Sequence, residues 1–197
     1  STLVTGSPVP VTKCPSKDDE FSKVLTAMLI AGSTLAMFDE PDGVVDSKSL
    51  AAAITAERHE GRVLGESRMI HVPNNMQMIF AGNNVTFSRD LGRRVMYVDL
   101  LVTSDFAESR GGFKHPLLNT WIKDNRRELL TAVLTLIQAW IAAGRPAPRS
   151  GAPSGSFEEW YHCVGGVLEY VGYGDFMDDV ADQRRERNDG ELADILH

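Results

Sequence analysis

The tightest constraint on the fold lies between Met76 and Leu100. Two short apolar runs, Met76–Ala81 and Val95–Leu100, bracket a polar segment. Short apolar runs bounded by turn formers read as buried strands. Gly82-Asn83-Asn84 follows the first run, and Arg89, Asp90, Arg93 and Arg94 precede the second. Polar groups at the C-terminal end of a buried strand are a common way for an α/β protein to build a site. The amides of Asn83 and Asn84 suit a water or a phosphate. Arg93 and Arg94 suit a phosphate held by this chain or a neighbouring one. The same residues also make an ordinary turn and a solvated basic face.

The chain before this stretch supplies further elements. Ser1 to Lys17, with Pro8, Pro10 and Pro15, reads as an extended or loop segment. It starts without methionine, as a piece of a longer protein would. Asp18–Ala31 reads as a helix: Phe21, Val24, Leu25, Met28 and Leu29 form one apolar stripe, three acids open it and Gly32 stops it. Leu35–Phe38 then runs into Asp39-Glu40 before a Pro41–Gly43 turn. An apolar strand ending in two carboxylates is the pattern of a Walker B site, where the first holds Mg²⁺ through water and the second handles the attacking water. A strand followed by an acidic turn has the same pattern. Ser47–Thr55 reads as a short helix capped by Asp46 or Ser47. Glu57–Arg68 reads as an exposed loop or the start of a hairpin with Arg58, Arg62 and Arg68. Met69–Val72 is expected as a strand and Pro73-Asn74-Asn75 as a turn.

After Leu100 the character changes. Thr103–His115 is polar. Pro116–Ala143 is helical in pattern, with a break expected at Lys123–Arg127 and an end at Gly144 and Pro146. Ser156 and Glu159 form a capping box before a helix bearing Phe157, Trp160, Tyr161, Val164, Val167, Leu168 and Val171; His162 lies off that stripe. Asp182–His197 reads as a charged tail or linker. The organisation expected is therefore an α/β part at 1–105, an all-helical part at 106–180 and a tail at 181–197.

Composition removes some function classes. A net charge of −7 argues against a chain that coats DNA through its overall field, though a local patch of Arg89, Arg93 and Arg94 is allowed. No apolar run approaches the ~20 residues of a membrane span, and the first residues lack the basic-then-apolar pattern of a secretory signal. Cys14 and Cys163 stand at no metal-ligand spacing and read as free thiols in a reducing compartment.

The order of these features carries a resemblance. Asp39-Glu40 is followed by Ser47-Lys48-Ser49-Leu50, Ile54-Thr55, Arg62-Val63-Leu64-Gly65, Ala81-Gly82-Asn83-Asn84 and Asp90-Leu91-Gly92-Arg93-Arg94. Phe113-Lys114-His115-Pro116, the Ala139–Pro146 segment, Gly155–Trp160 and Val164–Leu168 come after. The series resembles the ATPase, helicase-like region of primase and primase-helicase proteins of bacteriophages, prophages and other mobile elements, over roughly residues 18 to 180. The resemblance implies a P-loop NTPase core of the ring-forming kind, AAA+-like or superfamily-3-like, followed by a helical region. It implies ATP and Mg²⁺ as cofactors, with DNA and further copies in a homo-oligomeric ring as partners, in the cytoplasm of a bacterial host.

On that resemblance Asp39 is the Walker B aspartate that holds Mg²⁺ through water, and Glu40 a candidate base where relatives commonly carry Asn. Asn83 or Asn84 is the sensor that polarises the attacking water. Arg93 and Arg94 include an arginine finger for the next subunit's ATP, a device worth about 10³–10⁵ in rate. Arg62 and Arg68 are DNA-contact candidates. The main departure is the absence of GxxxxGK[ST], the loop that cradles phosphates; in the relatives it precedes the helix matching Asp18–Ala31. This chain alone is therefore expected to show no appreciable ATPase activity. Two other readings stay open: a non-enzymatic oligomerisation or DNA-docking module, whose Trp121, Trp140 and Trp160 make subunit contacts or core, and a defective remnant.

Overall fold

The computed structural model describes residues 2–100, 111–149 and 157–174. In chain order its elements begin with α1 (Thr2–Thr5), β1 (Val11–Lys13), α2 (Asp18–Ile30), β2 (Leu35–Asp39), β3 (Val44–Val45), α3 (Lys48–Thr55) and β4 (Arg58–Arg62). They continue with β5 (Met69–Pro73), β6 (Gln77–Ala81), β7 (Thr86–Phe87), α4 (Arg89–Gly92), α5 (Leu118–Asp124), α6 (Arg126–Ala142) and α7 (Glu158–Tyr170). The protein is mixed α/β, with small parallel and antiparallel sheets and helices. Two compact units divide it: Val9–Met96, and residues 2–8 together with the described residues from Tyr97 to Gly174.

The first unit is built on a three-stranded, all-parallel sheet in the order β1-β2-β6. Val11, Met37 and Ile79 align across it, as do Thr12, Phe38 and Phe80, and then Lys13, Asp39 and Ala81. Alternation gives each aligned row one face. The Phe38 row is the core: Ala36 and Phe38 are buried, and Phe21 of α2 meets Phe38 edge-on at 5.9 Å between centroids. Phe80 stacks on Phe38 at 4.9 Å and Phe87 meets Phe80 at 5.2 Å, so one aromatic chain joins α2, β2, β6 and β7. Full burial of such a ring contributes about 1.5–3 kcal/mol. The other face is open, with Val11 55% and Ile79 44% exposed. All-parallel sheets are normally covered on both faces, so this one is half-clad.

Local chemistry fixes the helices around it. Asp18, Asp19 and Glu20 occupy the first turn of α2, and Phe21, Leu25 and Leu29 are buried along its inner side. Gly32, at φ 71°, ends it: Ser33 donates to the Met28 carbonyl at 3.0 Å and Gly32 to that of Leu29 at 3.1 Å, the pairing of a Schellman turn. Ser47 caps α3 by accepting from the Leu50 N–H at 3.0 Å. The Asp18 carboxylate, from the start of α2, takes the Ser47 hydroxyl at 2.6 Å and the Ser49 N–H at 2.8 Å. Those bonds, the Ser47 hydroxyl first, hold its carboxyl below the ordinary value.

Between α3 and β6 the chain makes an antiparallel hairpin, β4–β5. It packs on α2 through Gly61, which leaves room for the Thr26 hydroxyl and its 2.9 Å hydrogen bond to His59 Nε2. Burial holds the His59 pKa below the usual imidazole value. Asn74 after the hairpin is more than a turn. Its amide donates to the carbonyls of Ala53 at 2.6 Å and Ala56 at 3.0 Å, closing the C-terminus of α3, and its Oδ1 accepts from the Met76 N–H at 3.3 Å.

Two expectations are corrected here. The first 17 residues hold a helical turn and a strand: Val11–Lys13 becomes β1 by pairing with β2, and Pro10 just before it costs nothing at a sheet edge. Val95–Leu100 joins none of the described sheets, and Val98 and Leu100 are 73% and 86% exposed. An apolar run becomes a strand only where the fold lays it along an edge and the two pair.

In the helical unit α5 and α6 part at Asn125, whose amide donates to the Trp121 carbonyl at 2.8 Å. Arg126 reaches α1, donating to the carbonyls of Leu3 at 2.9 Å and Val4 at 3.0 Å. Trp140 is buried, and its indole N–H donates to the Pro146 carbonyl at 3.0 Å beside Gly166 of α7. Trp121 and Trp160 are partly exposed. The cysteines are free, Cys14 buried and Cys163 exposed. The Ser156 capping box and the tail expected at Asp182–His197 lie outside the described residues, as does most of the polar Thr103–His115 segment.

Candidate functional site

Asp39 ends the middle strand of the parallel sheet. Phe38 before it points into the core, so the Asp39 carboxylate stands on the open face at the C-terminal rim. Glu40 follows with φ 47°, a left-handed conformation that costs a side-chain-bearing residue about 1–3 kcal/mol. It is held there by its N–H, which is shared between the Ala81 carbonyl at 3.0 Å and Asp39 Oδ1 at 3.1 Å. The first of these bonds ties the end of β2 to the end of β6.

Beyond that tie the two strands part and rejoin. Asp39 pairs with Ala81 and, further on, Val44 of β3 pairs with Thr86 of β7; both partners are 42 residues apart in sequence. Residues 40–43 and 82–85 are thus matched loops in one continuous register. They touch: a Cβ on Gly82 would stand 3.0 Å from Pro41 Cδ. Asn84 has φ 52°, which asparagine adopts more readily than most residues. The structure therefore brings Asp39, Glu40, Asn83 and Asn84 onto one rim with Asp42, all exposed except the half-buried Asp39.

Asp39 Oδ1 is committed to the Glu40 N–H, while Oδ2 has no hydrogen-bond partner among the described residues. One free oxygen fits a cation held through water. It does not make a cage, and no group of three or more His, Cys, Asp or Glu is placed to bind a metal directly among the described residues. The sequence has no glycine-rich Gly-Lys-Ser/Thr loop.

The two arginines differ. Both lie at the end of α4, just past β7. Arg93 is 61% exposed and pairs with Asp90 at 2.7 Å. Arg94 is 14% exposed; it donates to the Ala51 carbonyl of α3 and reaches Asp90 at 3.3 Å. The Arg93 hydrogen bond, and then the charge of both guanidinium groups, keeps the Asp90 carboxyl below its ordinary range. Arg94 is thus a tie between two helices, and Arg93 is the one on the surface. Neither shares a hydrogen bond or ion pair with the rim residues among the described residues.

Arg62 and Arg68 lie on or beside the hairpin, apart from the rim. Arg62 donates to the Glu66 carbonyl at 3.3 Å and Arg68 pairs with Glu66 at 3.0 Å. Arg58 donates to the His71 carbonyl at 3.3 Å. With Glu57, Glu60 and Glu66 beside them, the three arginines make a balanced surface rather than a basic one.

Sequence reasoning missed Lys13, which stands in register beside Asp39. No local signal marks it, because its neighbour is 26 residues away and parallel pairing is invisible in composition. Compared with known proteins, the chain matches no family model, no curated protein and no solved structure.

Proposed function

We propose that this chain is part of a DNA-dependent ATPase of the phage and mobile-element primase-helicase kind, with a P-loop NTPase type of core whose phosphate cradle is supplied by another segment. The observation that carries this reading is the joined rim: Asp39 at the end of the middle parallel strand, with Asn83 two residues past its partner Ala81. Asp39 Oδ2 is the group that would hold Mg²⁺ through water, and the metal would supply charge neutralisation at the phosphates. Glu40 or Asn83 would orient the attacking water. Arg93, by exchanging its Asp90 pair, would reach ATP on the next copy in a homo-oligomeric ring, while Arg94 keeps α4 in place. The β4–β5 hairpin, which leads into β6, would face DNA with Arg62 and Arg68. The outer edge of β6, unpaired among the described residues, and the open face beside it also support the reading, since a strand, a phosphate-binding loop and a helix would fill both.

The test is calorimetric titration of Mg²⁺·ATP into this chain and into a form extended upstream. Tight binding confined to the extended form, with turnover that Asp39→Ala abolishes, is the expected result. Turnover that survives Asp39→Ala, or no binding by either form, overturns the assignment. The missing cradle favours one alternative, a non-enzymatic oligomerisation or DNA-docking module. Salt-sensitive DNA binding that needs no nucleotide would identify it.

A further inference from the structure

Lys13 and Asp39 sit side by side at the ends of adjacent parallel strands, on the same open face. Neighbouring strands stand about 4.8 Å apart, and the spacing here is fixed by backbone: Cys14 donates to the Asp39 carbonyl at 3.0 Å. Opposite charges at such a position ordinarily pair across the strands. Here they do not. Asp39 Oδ1 turns to the Glu40 N–H, and Lys13 has no ion pair and no hydrogen bond among the described residues. The result is an exposed ammonium beside a carboxylate with one free oxygen, on the rim where open parallel sheets bind their ligands.

A phosphate carrying a divalent cation has the complementary pattern, an anionic oxygen for the ammonium and a hydrated metal for the carboxylate. We propose that Lys13 is a phosphate-contacting residue of this rim, taking a terminal phosphate whose Mg²⁺ is held through water by Asp39. The proposal rests on the ATPase reading and adds to it a cation that this chain itself carries. Lys13 is a compact point charge on a flexible stem, suited to a phosphate rather than to planar bidentate recognition.

The test follows backbone amide shifts of the whole chain by NMR during titration with Mg²⁺·ATP, and in parallel with Mg²⁺·tripolyphosphate. Shifts are expected at Lys13, Asp39 and Asn83 with millimolar affinity for both probes. Lys13→Gln should weaken binding about tenfold, the worth of one charge-assisted contact, and Lys13→Arg should keep most of it. Lys13 is exposed, and the unperturbed remainder of the spectrum shows directly that the variant is folded. Unchanged binding in Lys13→Gln, with loss in Asp39→Asn, overturns the role of Lys13 and leaves the ATPase reading standing. Absence of shifts at the rim for the wild-type chain also overturns the role of Lys13, while the extended chain still decides the reading itself.

Discussion

Replacing Asn74 by Ala tests how β6, and with it the Asn83 loop, is held against α3. The side chain closes two carbonyls at the end of that helix, at 2.6 and 3.0 Å, and receives the Met76 N–H at 3.3 Å as β6 begins. A protein hydrogen bond contributes about 0.5–1.5 kcal/mol net. Two good bonds and one long one, at a half-buried site where water repairs part of the loss, come to about 2 kcal/mol. With a urea slope of about 2 kcal/mol per molar, the unfolding midpoint should fall by about 1 M with the slope unchanged. Asn75→Ala, at the exposed neighbour, should stay within about 0.5 kcal/mol. Asn74→Asp should cost more than Ala at neutral pH, because a carboxylate would face two carbonyl oxygens. That excess should shrink as acid restores a donor. Equal stability of Asn74→Ala and Asn75→Ala would refute the capping role, and with it the account of how β6 is anchored.

Two further perturbations probe the same logic elsewhere. Asp18 is held below its ordinary pKa by the Ser47 hydroxyl and the Ser49 N–H, so its contribution is fully present above the unfolded value near 3.9 and is lost as pH falls through the lowered folded value. Surface exposure limits it to about 0.5–1 kcal/mol, and Asp18→Asn should flatten the acid limb of a plot of urea midpoint against pH; an unchanged limb refutes the linkage. In the helical unit, a Cβ on Gly166 would lie 2.9 Å from both the Pro146 carbonyl and Trp140 Nε1, the two ends of one hydrogen bond. Gly166→Ala should therefore cost about 1–3 kcal/mol and alter the near-UV circular dichroism of Trp140, and a spectrum identical to wild type would show that the clasp gives way freely.

What the sequence made legible is what is local. The α2 stripe, its acidic first turn and its Gly32 stop all act within a few residues, and the helix forms as read. The Ser47 cap, the β2 strand and the start of β6 follow from short patterns in the same way. The α5–α6 break at Asn125 falls inside the polar Lys123–Arg127 segment that announces it. The illegible parts depend on distant partners. Three residues between Pro10 and Pro15 carry no strand period, and only pairing with β2 makes them one. Val95–Leu100 carries the composition of a strand and joins none of the described sheets. Asp39 with Asn83 was suggested by strand ends, but the two matched loops in constant register could not be, since nothing in either loop refers to the other. Arg93 and Arg94 look equivalent as a dipeptide; the fold separates them by burying one against the Ala51 carbonyl.

The half-clad sheet limits where a second layer can come from. The chain passes from β1 through α2 to β2, with α2 on the Phe38 face. Connections between parallel strands are right-handed in nearly all proteins. A crossover in the direction from β1 to β6 therefore puts its helix on the Phe38 face, and a helix on the open Val11–Ile79 face needs a crossover in the reverse direction. Two such paths exist for this strand order. One leaves β6 and ends in a strand outside β1; the other leaves a strand outside β6 and enters β1. Among the described residues the chain after β6 goes instead into β7 and α4 and sets no strand beside β1, which favours the second. The second places a new strand against the free edge of β6, and its loop and helix start at the C-terminal rim beside Asn83 and Asp39. A segment that completed the sheet in this way would bring the amino end of its helix, with its unpaired N–H groups, to the carboxylates and amides already assembled there. An anion is what such a helix end attracts, so the topology of the sheet and the chemistry of the rim point to the same place.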